Sequence, residues 1–138
     1  MAVLPLKVVV DTNVIISAVG FGGNPRKILN LVVKQYIIAV TSLPSIAELE
    51  EVVYKKFPLL AESYPILAKQ LEQKFNMVRP NKTLYILKDA DDNKVLEAAV
   101  AGDCDYIITG DKELLDLGQF ETIKIVTAAQ FLSVFNAR

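Results

Sequence analysis

The sequence predicts an α/β protein in which a parallel sheet is covered by helices on both faces. Val8, Val9 and Val10 are consecutive β-branched residues, the composition of a strand buried on both sides. Strand-like apolar runs then alternate with segments of helical period, and no hairpin signal joins two strands. Hydrophobic residues make up 52% of the chain and mean hydropathy is +0.34. Such a surplus implies a thick two-sided core, a covered partner surface, or both. The 138 residues fit one domain over 1–138, of a size that hides roughly 70% of its unfolded surface.

After the first strand, residues 14–19 are apolar and dissolve into Gly20-Phe21-Gly22-Gly23-Asn24. That spacing fits neither phosphate-cradling glycine motif and reads as a flexible loop. Asn24 and Pro25 read as N-cap and first residue of a helix carrying Ile28, Leu31 and Val32, through about Gln35. Residues 36–40 form the second buried strand. Residues 41–45 turn the chain into a helix with Ile46, Leu49, Val52 and Val53 on one face, ended by Phe57-Pro58. Tyr64-Pro65 opens another helix, and the short connection implies an antiparallel helical pair. Residues 76–80 read as a short strand, and residues 83–87 as extended chain or loop. A helix starts at residues 89–93 and ends at Gly102. Residues 105–109 are a strand, followed by Gly110-Asp111 and a short helix through Leu115. Ile123–Val126 is the last strand, and Thr127 with Gln130 has the capping-box form for a closing helix through Phe135.

Cys104 is the sole cysteine and histidine is absent, which removes intramolecular disulfides, Cys-rich zinc sites and every histidine-based acid–base scheme. A metal site must then use oxygen ligands, favouring Mg²⁺ or Mn²⁺. A net charge of −1 carries no global nucleic-acid signature, so binding of a polyanion depends on local lysine and arginine placement and on the metal itself. No apolar run approaches the ~18 residues that span a bilayer. Residues 1–7 lack the basic start and long apolar segment of a leader. The expectation is a cytoplasmic protein with no membrane partner.

The functional edge of such a sheet lies outside the carboxyl ends of its strands. Asp11 stands there, and Glu48, Asp92 and Asp111 can be brought to it, forming a site for a hard divalent cation. Each has a structural alternative. Asp11 and Asp111 can cap the helices that follow them, and Ser45-Ile46-Ala47-Glu48 is itself a capping box. Helical spacing puts Glu48 and Glu50 on opposite borders of one apolar stripe and does not separate them. Asp89, Asp91 and Asp92 all compete for one role at the next helix start.

The residues resemble the PIN-domain nucleases, close to the standalone PIN proteins described as toxins of toxin–antitoxin pairs. The resemblance covers nearly the whole chain; Asp89-Ala90-Asp91-Asp92-Asn93-Lys94 and Tyr106-Ile107-Ile108-Thr109-Gly110-Asp111 are its most specific segments. It selects Glu48 over Glu50 and gives metal-site and catalytic roles to Asp11, Glu48, Asp92 and Asp111, supported by Asn13 and Thr109. Ala90 stands where proline is common. The resemblance also implies a central parallel sheet of about five strands, divalent-metal-dependent cleavage of RNA, and frequently a homodimer. The expected substrate is single-stranded RNA, with an antitoxin protein as a further partner.

Arg26, Lys27, Lys94 and Lys112 are the cations expected near the edge to meet phosphates, while Tyr36, Tyr85 and Tyr106 read as core or border aromatics. A phospho-acceptor receiver domain expects an acidic pair after the first strand and a lysine near the end of the last, and both are missing. A haloacid-dehalogenase-type phosphatase needs a second aspartate where Asn13 stands. The remaining alternative is a catalytically inactive PIN-fold module that binds RNA or protein. The apolar surplus favours self-association through the helical pair of residues 44–76.

Overall fold

Strand β1 (Lys7–Val10) runs through the middle of the sheet and sorts its valines by alternation. Val8 and Val10 enter one hydrophobic core and Val9 enters the other. In the computed structural model, which describes residues 4–138, helices cover both faces accordingly. Met1–Val3, part of the stretch behind the expectation of no leader, lie outside the described residues. Helices α1 (Thr12–Gly20), α2 (Gly23–Val33), α3 (Leu43–Lys56), α5 (Tyr64–Lys74) and α8 (Ala128–Asn136) contribute to the first core, around Ile28, Leu49, Leu71 and Phe131. Helices α6 (Ala90–Ala101) and α7 (Lys112–Leu117) contribute Val95, Leu96, Ala99 and Leu114 to the second. Among the described residues no helix is long and apolar enough to cross a membrane.

The sheet has six strands in the order β3-β2-β1-β4-β6-β5, with β2 at Ile38–Thr41, β3 at Asn76–Met77, β4 at Tyr106–Ile108, β5 at Gln119–Phe120 and β6 at Ile123–Val126. All pairings are parallel except β5 with β6. The register aligns Val10 with Ile108 and Ile108 with Val126, so their carboxyl ends lie level. The chain leaves β1 toward β2 on one side and returns as β4 on the other. The crevice between β1 and β4 is therefore the switch point where α/β sheets bind ligands.

Five local expectations are corrected. The chain does contain a hairpin: β5 returns to β6 through Glu121-Thr122, with Glu121 at φ 54. Neither residue is the glycine or asparagine that signals such a turn. Helix α2 starts at Gly23, with Gly22 (φ 83) rather than Asn24 in the cap position. A one-turn helix, α4 (Pro58–Ala61), stands between α3 and α5, which meet through an edge-on Tyr54–Tyr64 contact at 5.6 Å. Tyr106 packs edge-on against Phe131, but Tyr36 and Tyr85 are 60% and 86% exposed and are not core residues. Most consequential is α3, which begins a turn early. Ser42 is its cap, accepting a hydrogen bond from the Ser45 amide at 3.3 Å, so the supposed capping box at Ser45 does not exist.

Gly102 ends α6, but at φ −88, a conformation open to any residue. Its requirement is space. A Cβ there would lie 3.0 Å from a Val40 methyl and 3.2 Å from the Cys104 sulfur. Both neighbours are buried, and burial pushes the Cys104 thiol up to about 12. Gly102→Ala should therefore destabilise the protein by about 1–3 kcal/mol in denaturant titration. Gly110→Ala, which meets nothing within 4 Å, should fall within about 0.5 kcal/mol of wild type.

Candidate active site

At the end of β1, the Asp11 amide donates to the Ile108 carbonyl at 2.9 Å, continuing the ladder one residue beyond the strand. Asp11 occupies the N-cap position of α1, yet its side chain makes no capping hydrogen bond. Its carboxylate instead turns toward β4, where the buried Thr109 hydroxyl donates to Oδ2 at 2.7 Å. The same Thr109 oxygen accepts from the Asp111 amide at 3.0 Å. One hydroxyl thus ties the ends of two neighbouring strands to the start of α7. Burial raises the Asp11 pKa, the Thr109 hydrogen bond and the Thr12 backbone oppose that rise, and the charges of Asp111 and Asp89 add to it.

Asp111 does cap its helix, accepting from the Leu114 amide at 3.0 Å. Capping and proximity to the other acids coexist here. Asp92, in the first turn of α6 and only 9% exposed, has its pKa pushed up to about 7. Burial is the first cause, followed by the charges of Asp111, Asp89 and Asp11 and a hydrogen bond with Asp111. Glu48, freed from any capping role and half-buried, is also raised to about 7, by burial, then by Asp91 and Asp11, against the pull of Lys94. Glu50 faces solvent, and Glu51 pairs with Lys55 at 2.7 Å. Helix spacing alone does not separate these glutamates; in the fold Glu48 is the one near the other acids.

Asp89, which competes from sequence with Asp91 and Asp92 and looks like a loop or cap residue, does accept from the Asp91 amide at 2.8 Å. Its charge nevertheless raises the pKa of Asp11, Glu48 and Asp92 alike. Asp91 holds Lys94 at 3.1 Å and faces Glu48. Asn93 has a role that sequence reasoning missed. Buried in the second turn of α6, it accepts from the Ile86 and Leu87 amides and donates to the Leu87 carbonyl at 2.8 Å, clamping the preceding loop. Its place three residues before Leu96, on the apolar face, was the available signal.

The remaining candidates are spread more widely. Asn13 is exposed and lines a cleft of about 490 Å³ with Ser17, Asn24, Asp111, Lys112 and Thr127. Lys112 pairs with Asp116 at 2.8 Å. Lys27 is exposed beside α8, and Arg26 commits its guanidinium to the Ala18 and Val19 carbonyls at the end of α1. Arg26 is occupied by a structural contact.

The donor chemistry fits a hard cation: every acidic group here offers oxygen, and their mutual repulsion favours a positive counter-charge. Among the described residues no three His, Cys, Asp or Glu side chains are already arranged to ligate one ion. Closing a coordination shell would require carboxylates to turn inward from these positions.

Fold and site together define a member of the PIN domain family, whose family model matches residues 7–113; the chain belongs to that family. An uncharacterized protein of Methanocaldococcus jannaschii is 35% identical over 131 residues, covering 85% of this chain and 78% of that protein. In fold the chain is similar to the crystal structure of VapBC2 from Rickettsia felis bound to a DNA fragment from their promoter. That match has a TM-score of 0.61 and 14% identity, and covers 87% of this chain and 97% of the other.

Raised carboxylate pKa values have a consequence for stability. In metal-free protein, folded Glu48 and Asp92 hold protons up to about pH 7, whereas unfolded carboxyls lose them near their ordinary values of 4.5 and 3.8. Between those limits the folded state binds more protons, so the contribution of these groups falls as pH rises. Denaturant titration in EDTA should find Glu48→Gln and Asp92→Asn gaining stability relative to wild type as pH rises from 5 to 8. A wild-type-like pH slope in both variants would contradict this.

Proposed function

We propose that this chain is a divalent-metal-dependent endoribonuclease that cleaves single-stranded RNA, with Asp11, Glu48, Asp92 and Asp111 as its catalytic carboxylates and as ligands of Mg²⁺ or Mn²⁺. The observation that carries the proposal is the meeting of Asp11 and Asp111 on the Thr109 hydroxyl at the β1–β4 crevice, with Glu48 and Asp92 near enough to feel their charge, in a chain without histidine. Membership of the PIN family supports it. When bound, the cation supplies Lewis-acid activation of water and screening of phosphate charge.

The protein's own groups divide the remaining work. Thr109 holds Asp11 in one orientation, and the Leu114 amide holds Asp111. Glu48 has no hydrogen bond to a cap, so it is the carboxylate free to orient a water and accept its proton. Lys94, beside Glu48, and Lys112, beside Asp111, offer positive charge to the scissile phosphate. The cleft bearing Asn13 is within the size range of a small-ligand site.

The likeness in fold to the VapBC2 complex supports a toxin role with an antitoxin protein as partner, and the compartment proposed with it is the cytoplasm. A homodimer is proposed from Leu43, Tyr54, Leu59 and Ile66, large apolar side chains left more than half exposed along α3–α5. A second reading, an inactive PIN-fold module that binds RNA or protein, is favoured by the lack of a ready-made ligating trio among the described residues.

Labelled single-stranded RNA incubated with and without Mn²⁺ separates the two. The nuclease reading expects cleavage only with metal, a loss of about 100-fold or more for Asp92→Asn and for Glu48→Gln, and a change of no more than about twofold for exposed Glu50→Gln. RNA bound but left intact by wild type in Mn²⁺ would replace it with the binding module.

A further inference from the structure

Between β3 and α6 the chain carries Arg79, Lys82 and Lys88 with no acidic residue in the interval 79–88. All three are exposed, and none forms an ion pair among the described residues. In a chain of net charge −1, this is a local concentration of unpaired positive charge. Its partner within the loop is aromatic: Tyr85 is 86% exposed, although the neighbouring Leu84 and Leu87 pack against the second core.

The loop is also held in place. Glu97 accepts from the Leu84 amide at 2.9 Å, and Asn93 accepts from the amides of Ile86 and Leu87. Two side chains of α6 therefore fix the backbone on either side of Tyr85, so the ring projects from a rigid base. A trough of about 610 Å³ lies between Leu43-Pro44 at the start of α3 and the Arg79–Thr83 stretch, with Glu97 also in its lining. The loop leads directly into Asp89, whose charge is felt by Asp11, Glu48 and Asp92.

We propose that residues 79–88 are a docking element for single-stranded RNA, in which Tyr85 stacks on a base and Arg79, Lys82 and Lys88 meet backbone phosphates. An exposed aromatic face among unpaired cations is the combination that single strands use, because every base offers a ring face and every linkage a charge. An acidic polypeptide would use the cations but leave the ring idle. The inference rests on the nuclease reading and adds the side from which the strand reaches the acids. It does not need Arg26, whose guanidinium is held by the end of α1.

Fluorescence anisotropy of a labelled single-stranded oligoribonucleotide in EDTA tests the loop without cleavage. Tyr85→Ala should weaken binding about 10-fold while Tyr85→Phe holds it near wild type. Arg79→Gln, Lys82→Gln and Lys88→Gln combined should reduce the slope of log affinity against log salt by about 2, at roughly 0.7 for each phosphate no longer neutralised. All variants should melt with wild type, since the altered side chains are exposed. Affinities unchanged from wild type, no RNA binding by wild type, or competition by polyglutamate as strong as by RNA of equal charge would each overturn the inference. A parallel Mn²⁺ melt and cleavage assay keeps the two claims separate. Loop-dependent binding without any metal response removes the nuclease and leaves the docking element. Metal-dependent cleavage with loop-independent binding does the reverse.

Discussion

A single hydroxyl holds the edge of this sheet together. Thr109 follows β4 and donates to Asp11, which follows β1, at 2.7 Å. It also receives the amide of Asp111, at the start of α7. Without it, the Asp11 carboxylate would be buried with its charge poorly compensated, an expensive arrangement in a low-dielectric edge. The level register of β1, β4 and β6 sets up this contact, because it brings the residues after Val10 and Ile108 side by side. Parallel pairing thus does more than close the core. It decides which polar groups meet where the strands stop.

The second element of the site is repulsion. Burial and the charges of neighbouring acids, among them Asp89, Asp91 and Asp111, raise the pKa values of Asp11, Glu48 and Asp92, and Lys94 is the cation that opposes the rise at Glu48. A protein held together only for stability would not gather acids in this way, since like charges at short range disfavour the ionised state of each. The cost is local. Two well-filled cores on opposite faces of the sheet, one around Phe131 and one around Leu96, supply the stability that tolerates it.

Much of the fold was legible because the strands are written in β-branched residues: Val8–Val10, Ile107-Ile108 and Ile123–Val126 all lie where their composition puts them. The capping box of Thr127 and Gln130 was readable for the same local reason and is present in full. What escaped depended on distant context. The hairpin at Glu121 has no turn glycine, and the start of α3 moved a full turn because Ser42 caps as well as Ser45 could. That shift matters for the site, since it removes the capping role that competed for Glu48. Asp89 and Asn93 were visible as residues but not as neighbours of Asp11 or clamps of the 86–87 backbone, relations that only the tertiary fold creates. Tyr85 looked like a border aromatic by composition, and its exposure follows from Leu84 and Leu87 taking the inward positions on either side.

The central claim is that Asp11 is kept for its charge and not for its shape. Asparagine is nearly isosteric and can still accept the Thr109 hydroxyl, so Asp11→Asn removes little except that charge. Thermal melts of wild type and Asp11→Asn with and without Mn²⁺ test the claim directly. The metal-free variant should melt at or above the wild-type temperature, because repulsion is relieved, and its Mn²⁺-induced rise should be smaller than wild type's or absent. A lower melting temperature for the variant, with a metal response equal to wild type's, would make Asp11 a structural residue and contradict the account.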